Sequence, residues 1–178
     1  MSSALESAFA AYQRGDATGA LATLEREPDA WRSRPDGWLI RGVASRALGR
    51  VTDAESAYRE AIALYPDYPD AWQNLGNLLA ASGRFAHAAD AYEHAAQGRP
   101  TAAEKANVLV LLAGAAFSAG EVKAALGALE RAVALAPESG AVHNQLGKVL
   151  WELGHTQASI DAFRKAAHCA PADALYAT

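Results

Sequence analysis

The chain has 178 residues, 51% hydrophobic and 20% charged, which suits one ordinary globular domain or a short repeat array. Its 45 alanines favour helices packed closely on helices, while 8% aromatics leave too little bulk for a sheet protein. The net charge of −4 offers nothing to neutralise a phosphate backbone, and the single Cys excludes a disulfide framework or a cysteine-ligated zinc site. The longest apolar run, Val108 to Phe117, is about half a membrane span, and the opening MSSALESAFAAY lacks a cationic run and carries Glu6, unlike a signal peptide. These features describe a soluble, cytoplasmic, helical protein with neither a nucleic-acid nor a membrane partner.

A period runs through the chain. Gly15, Gly49, Gly83, Gly120 and Gly154 are spaced by 34, 34, 37 and 34 residues, and Pro66, Pro100, Pro137 and Pro171 by 34, 37 and 34. Tyr58, Tyr92, Leu129 and Phe163 keep the same register, as do Ala61, Ala95, Ala132 and Ala166. Each period reads as two helices, giving repeats at 1–34, 35–68, 69–102, 106–139 and 140–173, with a tail at 174–178. In the first, Pro28 ends the second helix early. The joint DAWRSRPDGWL that follows mixes Trp31 and Trp38 with Arg32 and Arg34; it reads as a loop with one aromatic tucked against the next helix rather than a base-stacking site. In the third repeat Trp72, Leu75, Leu78 and Leu79 recur at helical spacing until Gly83, which can form a left-handed cap. A second helix there carries Phe85, Ala88, Ala89, Tyr92, Ala95 and Ala96 on one side before Pro100. Three extra residues near Ala103 to Lys105 read as an extended helix start. No single pair can bury its own apolar face, so stacking must supply the core.

These residues resemble the tetratricopeptide repeat, whose unit carries Trp, Leu, Gly and Tyr at positions 4, 7, 8 and 11, then Ala, an aromatic, Ala and Pro at 20, 24, 27 and 32. The third repeat matches with Trp72, Leu75, Gly76, Ala88, Tyr92, Ala95 and Pro100. The second has Trp38, Gly42, Ala54, Tyr58, Ala61 and Pro66, but Arg41 where Leu is usual. The fifth has Leu146, Gly147, Leu150, Phe163, Ala166 and Pro171, with His143 and Ser159 as departures, and the fourth lacks both aromatics. The resemblance implies an all-α fold, a right-handed superhelical solenoid of antiparallel helix pairs in five repeats, that acts as a non-catalytic scaffold binding a protein or peptide.

No phosphate loop, nucleophile elbow or cofactor motif occurs. His87, Asp90 and His94 share one side of a helix, but the histidines stand two turns, roughly 10 Å, apart, so a solvated surface is the better reading than a metal site. Cys169 reads as a packing residue.

The resemblance places a partner in a concave groove lined by positions 2, 5, 9 and 12 of each repeat. Carried over, these are Asp36, Leu39, Val43 and Arg46; Asp70, Gln73, Asn77 and Ala80; Asn107, Val110, Gly114 and Phe117; and Ala141, Asn144, Lys148 and Trp151. Their charges cancel, which suits neither nucleic acid nor a phosphorylated ligand. Val110, Phe117 and Trp151 beside Asn107, Asn144 and Lys148 suit an extended peptide, with the alternative that Phe117 and Trp151 pack on each other. The family's clamp for the acidic tails of chaperones needs Lys, Asn and Arg, and here only Asn74 fits among Leu39, Val43, Asn74, Asn107 and Leu111. After Pro171 only ADALYAT remains, so Ile160 and Phe163 are expected to lack a covering helix. That end would suit a homodimer or self-associating module, or the chain would be the substrate-recruiting start of a larger bacterial glycosyltransferase, sulfotransferase or hydroxylase.

Overall fold

The computed structural model describes residues 3–99 and 101–169. The described residues form ten α-helices and a single 3-10 turn, with no strand among them. The helices are α1 (Ser3–Gln13), α2 (Ala17–Arg26), α3 (Pro35–Ala47), α4 (Val51–Leu64), α5 (Pro69–Ala81), α6 (Phe85–Gly98), α7 (Ala102–Ser118), α8 (Val122–Leu135), α9 (Gly140–Glu152) and α10 (Thr156–Cys169). Their boundaries have local causes. Pro35 and Pro69 open α3 and α5, where a missing backbone N–H is harmless. The five glycines of the period hold φ between 72° and 83°, a conformation that costs a residue with a Cβ, and each turns the chain between two helices. Pro28 starts the 3-10 turn Pro28–Ala30 directly after α2, so that helix is short as expected.

The three extra residues near Ala103 lengthen α7 at its start to 17 residues. Thr101 and Glu104 form a capping box there: the Glu104 N–H donates to the Thr101 hydroxyl at 3.2 Å and the Thr101 N–H to the Glu104 carboxylate at 3.2 Å.

The contacts divide the chain into two compact units, Met1–Gly83 and Arg84–Thr178. Within the first, α1 packs on α2 and α3 on α4, α2 on α3 and α4 on α5. Within the second, α7 packs on α6 and on α8, α8 on α9, and α9 on α10. Each helix therefore touches near neighbours in sequence, as in an array whose core is built by stacking.

Small residues set the spacing. A Cβ on Gly42 would collide with the Tyr58 ring, and one on Gly147 would lie 2.7 Å from Phe163 Cδ1. Glycine thus lets α3 approach α4, and α9 approach α10, over an aromatic ring. Tyr58 is fully buried, and burial pushes its phenol up to about 12 against the opposing influence of Arg46.

The joint around Trp31 is core. Trp31 is 1% exposed, its indole N–H donates to the Leu24 carbonyl at 2.7 Å, and it packs with Leu5, Ala8, Leu24 and Ile40. Trp38 meets it edge-on at 5.0 Å, and the Arg41 guanidinium lies over both rings at 5.9 and 5.5 Å. Arg41 therefore covers two indoles from the position where Leu is usual in such repeats.

Candidate partner-binding surface

In the N-terminal unit the expected surface residues lie on α3 and α5, and the polar groups of Asp36, Asp70, Gln73, Asn74 and Asn77 have partners in the chain. Asp36 accepts from Arg34 in a two-bond pair, Nε to Oδ1 at 3.2 Å and Nη2 to Oδ2 at 2.9 Å. Asn74 donates its amide to the Asp70 carbonyl one turn back at 2.8 Å. Gln73 and Asn77 are half-buried and have partners of their own. Tyr68 lies near both Asp70 and Asp36; burial, and then the two carboxylates, push its phenol up to about 12. Leu39 and Val43 are half-buried. The surface offers few unmet hydrogen-bonding groups to a ligand.

The C-terminal unit differs. Asn107 on α7 and Ala141, Asn144, Lys148 and Trp151 on α9 are exposed, while Val110, Gly114 and Phe117 are half-buried. Trp151 is 58% exposed. Trp31–Trp38 and Tyr65–Tyr68 form ring pairs, whereas Phe117 and Trp151 are not stacked on one another. The Gln145 amide of α9 lies over Gly114 of α7, with 3.7 Å to the site of an added Cβ.

Lys148, Trp151, Glu152 and Phe163 line one cleft. Ala141, Asn144 and Phe163 line a second, with Ala166, Ala167 and Cys169. Phe163 borders both. Sequence reasoning divided these residues between a groove and an open end; the geometry puts them on one surface of the α9–α10 pair. Phe163 is half-buried, because part of its ring packs on Gly147, whereas Ile160 is exposed. Lys148 and Glu152 stand one helical turn apart and place both charges beside the exposed indole.

His87, Asp90 and His94 are all exposed on α6. No cluster of three His, Cys, Asp or Glu is close enough to hold a metal ion among the described residues. The Cys169 thiol lies 3.8 Å from the Glu138 carboxylate, and desolvation and that carboxylate push it up, away from the reactive thiolate. No helix of the described residues is long and apolar enough to cross a membrane.

His143, a departure from the repeat pattern, takes the missing tryptophan's place. Its Nε2 meets the Pro137 carbonyl at 2.6 Å, as the Trp72 indole N–H donates to Pro66 and that of Trp38 to Arg32, each at 2.7 Å. Sequence reasoning missed this, although a proline six residues earlier was the available signal.

Comparison with known proteins agrees with this architecture. Three family models, each described as tetratricopeptide repeat, match residues 35–78, 57–105 and 110–174. A crystal structure of MamA superposes with a TM-score of 0.82 at 20% identity, covering 95% of this chain and 97% of that one. MamA 41-end from Desulfovibrio magneticus RS-1 gives 0.81 at 20% identity over 100% and 99%. PilF of Pseudomonas aeruginosa gives 0.77 at 17% identity over 94% and 75%. At such identities the likeness establishes the fold alone. No curated protein matches the sequence.

Proposed function

We propose that this chain, which belongs to the tetratricopeptide repeat family, works as a protein-interaction scaffold through the α7–α9–α10 surface of its C-terminal unit. Repeats of this family are generally non-catalytic scaffolds, and the finer reading concerns where the partner sits. The observation that carries it is Trp151: a large indole, 58% exposed, held in a cleft with Lys148, Glu152 and Phe163. An exposed tryptophan flanked by two charges suits an apolar anchor of a partner segment, and the exposed amides of Asn107 and Asn144 offer donors and acceptors to its backbone. Val110 and Phe117 extend the apolar strip along α7. Asp70, Gln73, Asn74 and Asn77 contribute less to this reading, because they already have partners.

The test is a pull-down with mass spectrometry, comparing wild type with Phe117→Ala, Trp151→Ala, Lys148→Glu. Removing an anchor of this kind costs about 2 kcal/mol, roughly 30-fold in affinity, so a specific prey is lost while the helical circular-dichroism signal stays. Prey retained by the folded variant would move the binding site elsewhere on the chain.

The exposure of Ile160, three residues before Phe163 on α10, favours a second reading, self-association through α10. Ile160→Glu is the suitable probe, since Phe163 also packs on Gly147 and its loss would disturb the pair itself. A dimer by light scattering that Ile160→Glu dissolves supports this reading, and a wild-type monomer at high concentration opposes it.

A further inference from the structure

We propose that two copies of this chain meet through unlike surfaces, with α10 of one copy docking on a cleft between α6 and α8 of the other. This rests on the self-association reading above and names the surface that α10 meets. The cleft measures about 380 Å³. Buried Leu112 and Ala116 of α7 form its base, Ala89 of α6 lines one side, and Ala124, Gly127 and Ala128 of α8 line the other. It admits a side chain but not a whole helix, which is about 10 Å across. Gly127 is the unusual member. Glycine inside a helix weakens it, yet Gly127 does not need a positive φ, and an added Cβ would meet no atom within 4 Å. The matched positions of the second, third and fifth repeats hold Ser56, Asp90 and Asp161. A missing side chain at the mouth of the cleft lets the backbone of a second helix come close.

Charge selects the occupant. Arg131 on the rim is held by Glu93 in two bonds at 2.8 and 3.0 Å, so the exposed carboxylates of Asp90 and Glu121 set the sign of the cleft. Lys123 lines the neighbouring cleft at the start of α8, not this one. The complement is on α10. Its exposed face carries Ile160 and Arg164 one turn apart, followed by Lys165, against a single carboxylate, Asp161. Arg164 meets Asp161 at 3.4 Å, and both side chains are largely in water, so a carboxylate of the cleft can replace Asp161 at little cost. Ile160 over Leu112 and Ala116, with Arg164 at the acidic rim, matches an exposed apolar side chain to an apolar base and a basic helix to an acidic cleft. The two surfaces lie on different helices, which makes the contact heterologous.

The experiment is sedimentation velocity on the full chain up to about 1 mM, where association with a dissociation constant on the order of 100 µM is expected. Ile160→Glu spoils α10 and leaves the cleft intact. Gly127→Gln fills the cleft and leaves α10 intact, and it folds because the new side chain enters open space on a helix. Each variant alone should associate at least about 10-fold more weakly than wild type. Mixed together, they should form a 1:1 complex, because each brings the surface that the other lacks. Arg164→Glu should weaken association about 5-fold at low salt. A wild type that stays monomeric throughout would contradict both the self-association reading and this contact. Weakened Ile160→Glu with Gly127→Gln unchanged would leave self-association through α10 standing and overturn the cleft as its acceptor. So would two weakened variants that remain apart when mixed.

Discussion

The α3–α4 and α9–α10 pairs are built on one pattern, yet they hold their aromatic residues differently. In both, an aromatic ring of the second helix packs on a glycine of the first, Tyr58 on Gly42 and Phe163 on Gly147. In the first pair α5 packs on α4, and Tyr58 is 0% exposed. In the second, Phe163 remains half-exposed and lines two clefts. Trp38 is answered by His143, buried Ala54 by buried Ser159, and exposed Arg46 by exposed Trp151. The backbone pattern is preserved while the ring at the twenty-fourth position goes from full burial in Tyr58 to partial burial in Phe163. A repeat protein can thus bury an aromatic ring in one copy and leave it partly open in another without changing its fold.

Substitutions at matched positions test that contrast. Tyr58→Ala is expected to cost about 3–5 kcal/mol in urea unfolding, because it empties a fully buried site. Phe163→Ala should cost less than half of that, since part of its ring already faces water; equal costs would erase the distinction. Exchanging the fourth-position residues comes next. Trp38→His removes a ring packed on Trp31 and should lower stability by about 2 kcal/mol, whereas His143→Trp should raise it by about 1 kcal/mol as the larger ring covers apolar surface of Val133 and Pro137.

A smaller gain is expected at the twentieth position. Ser159 is 0% exposed and its hydroxyl has no hydrogen-bond partner, while its counterpart Ala54 has no such group. Ser159→Ala should stabilise by about 1 kcal/mol, measured as a higher urea midpoint. The smallest effect lies outside both pairs. Arg131 of α8 donates two bonds to the Glu93 carboxylate of α6, at 2.8 and 3.0 Å, and holds it below its ordinary 4.5. A lowered acid contributes stability that is full above 4.5 and is lost as the pH falls through the folded value. With both side chains partly in water, Glu93→Gln should cost about 0.5 kcal/mol at pH 7 and nothing once both forms are protonated.

Much of the fold was legible because its signals are local. The glycine period marks the turns, the proline at 28 shortens α2, and the extra residues near Ala103 extend α7. The basic-aromatic joint was also readable as packing, though the stacking of Arg41 on two indoles was not. That contact, the His143 bond and the meeting of Phe163 with Lys148 and Trp151 depend on distances between helices, which residue spacing does not encode. The positions lining the candidate surface came from the family's register. Which of them keep unmet hydrogen-bonding groups is decided by neighbours such as Arg34 and the Asp70 carbonyl.

The most direct test of the central claim is site-specific photo-crosslinking, with a benzophenone side chain placed at Lys148 and, separately, at the matched position Val43. The account predicts a discrete crosslink to another protein from position 148 that an excess of unlabelled chain competes away, and none from position 43. Crosslinks from position 43 with none from position 148 would contradict it, and would move recognition to the N-terminal unit.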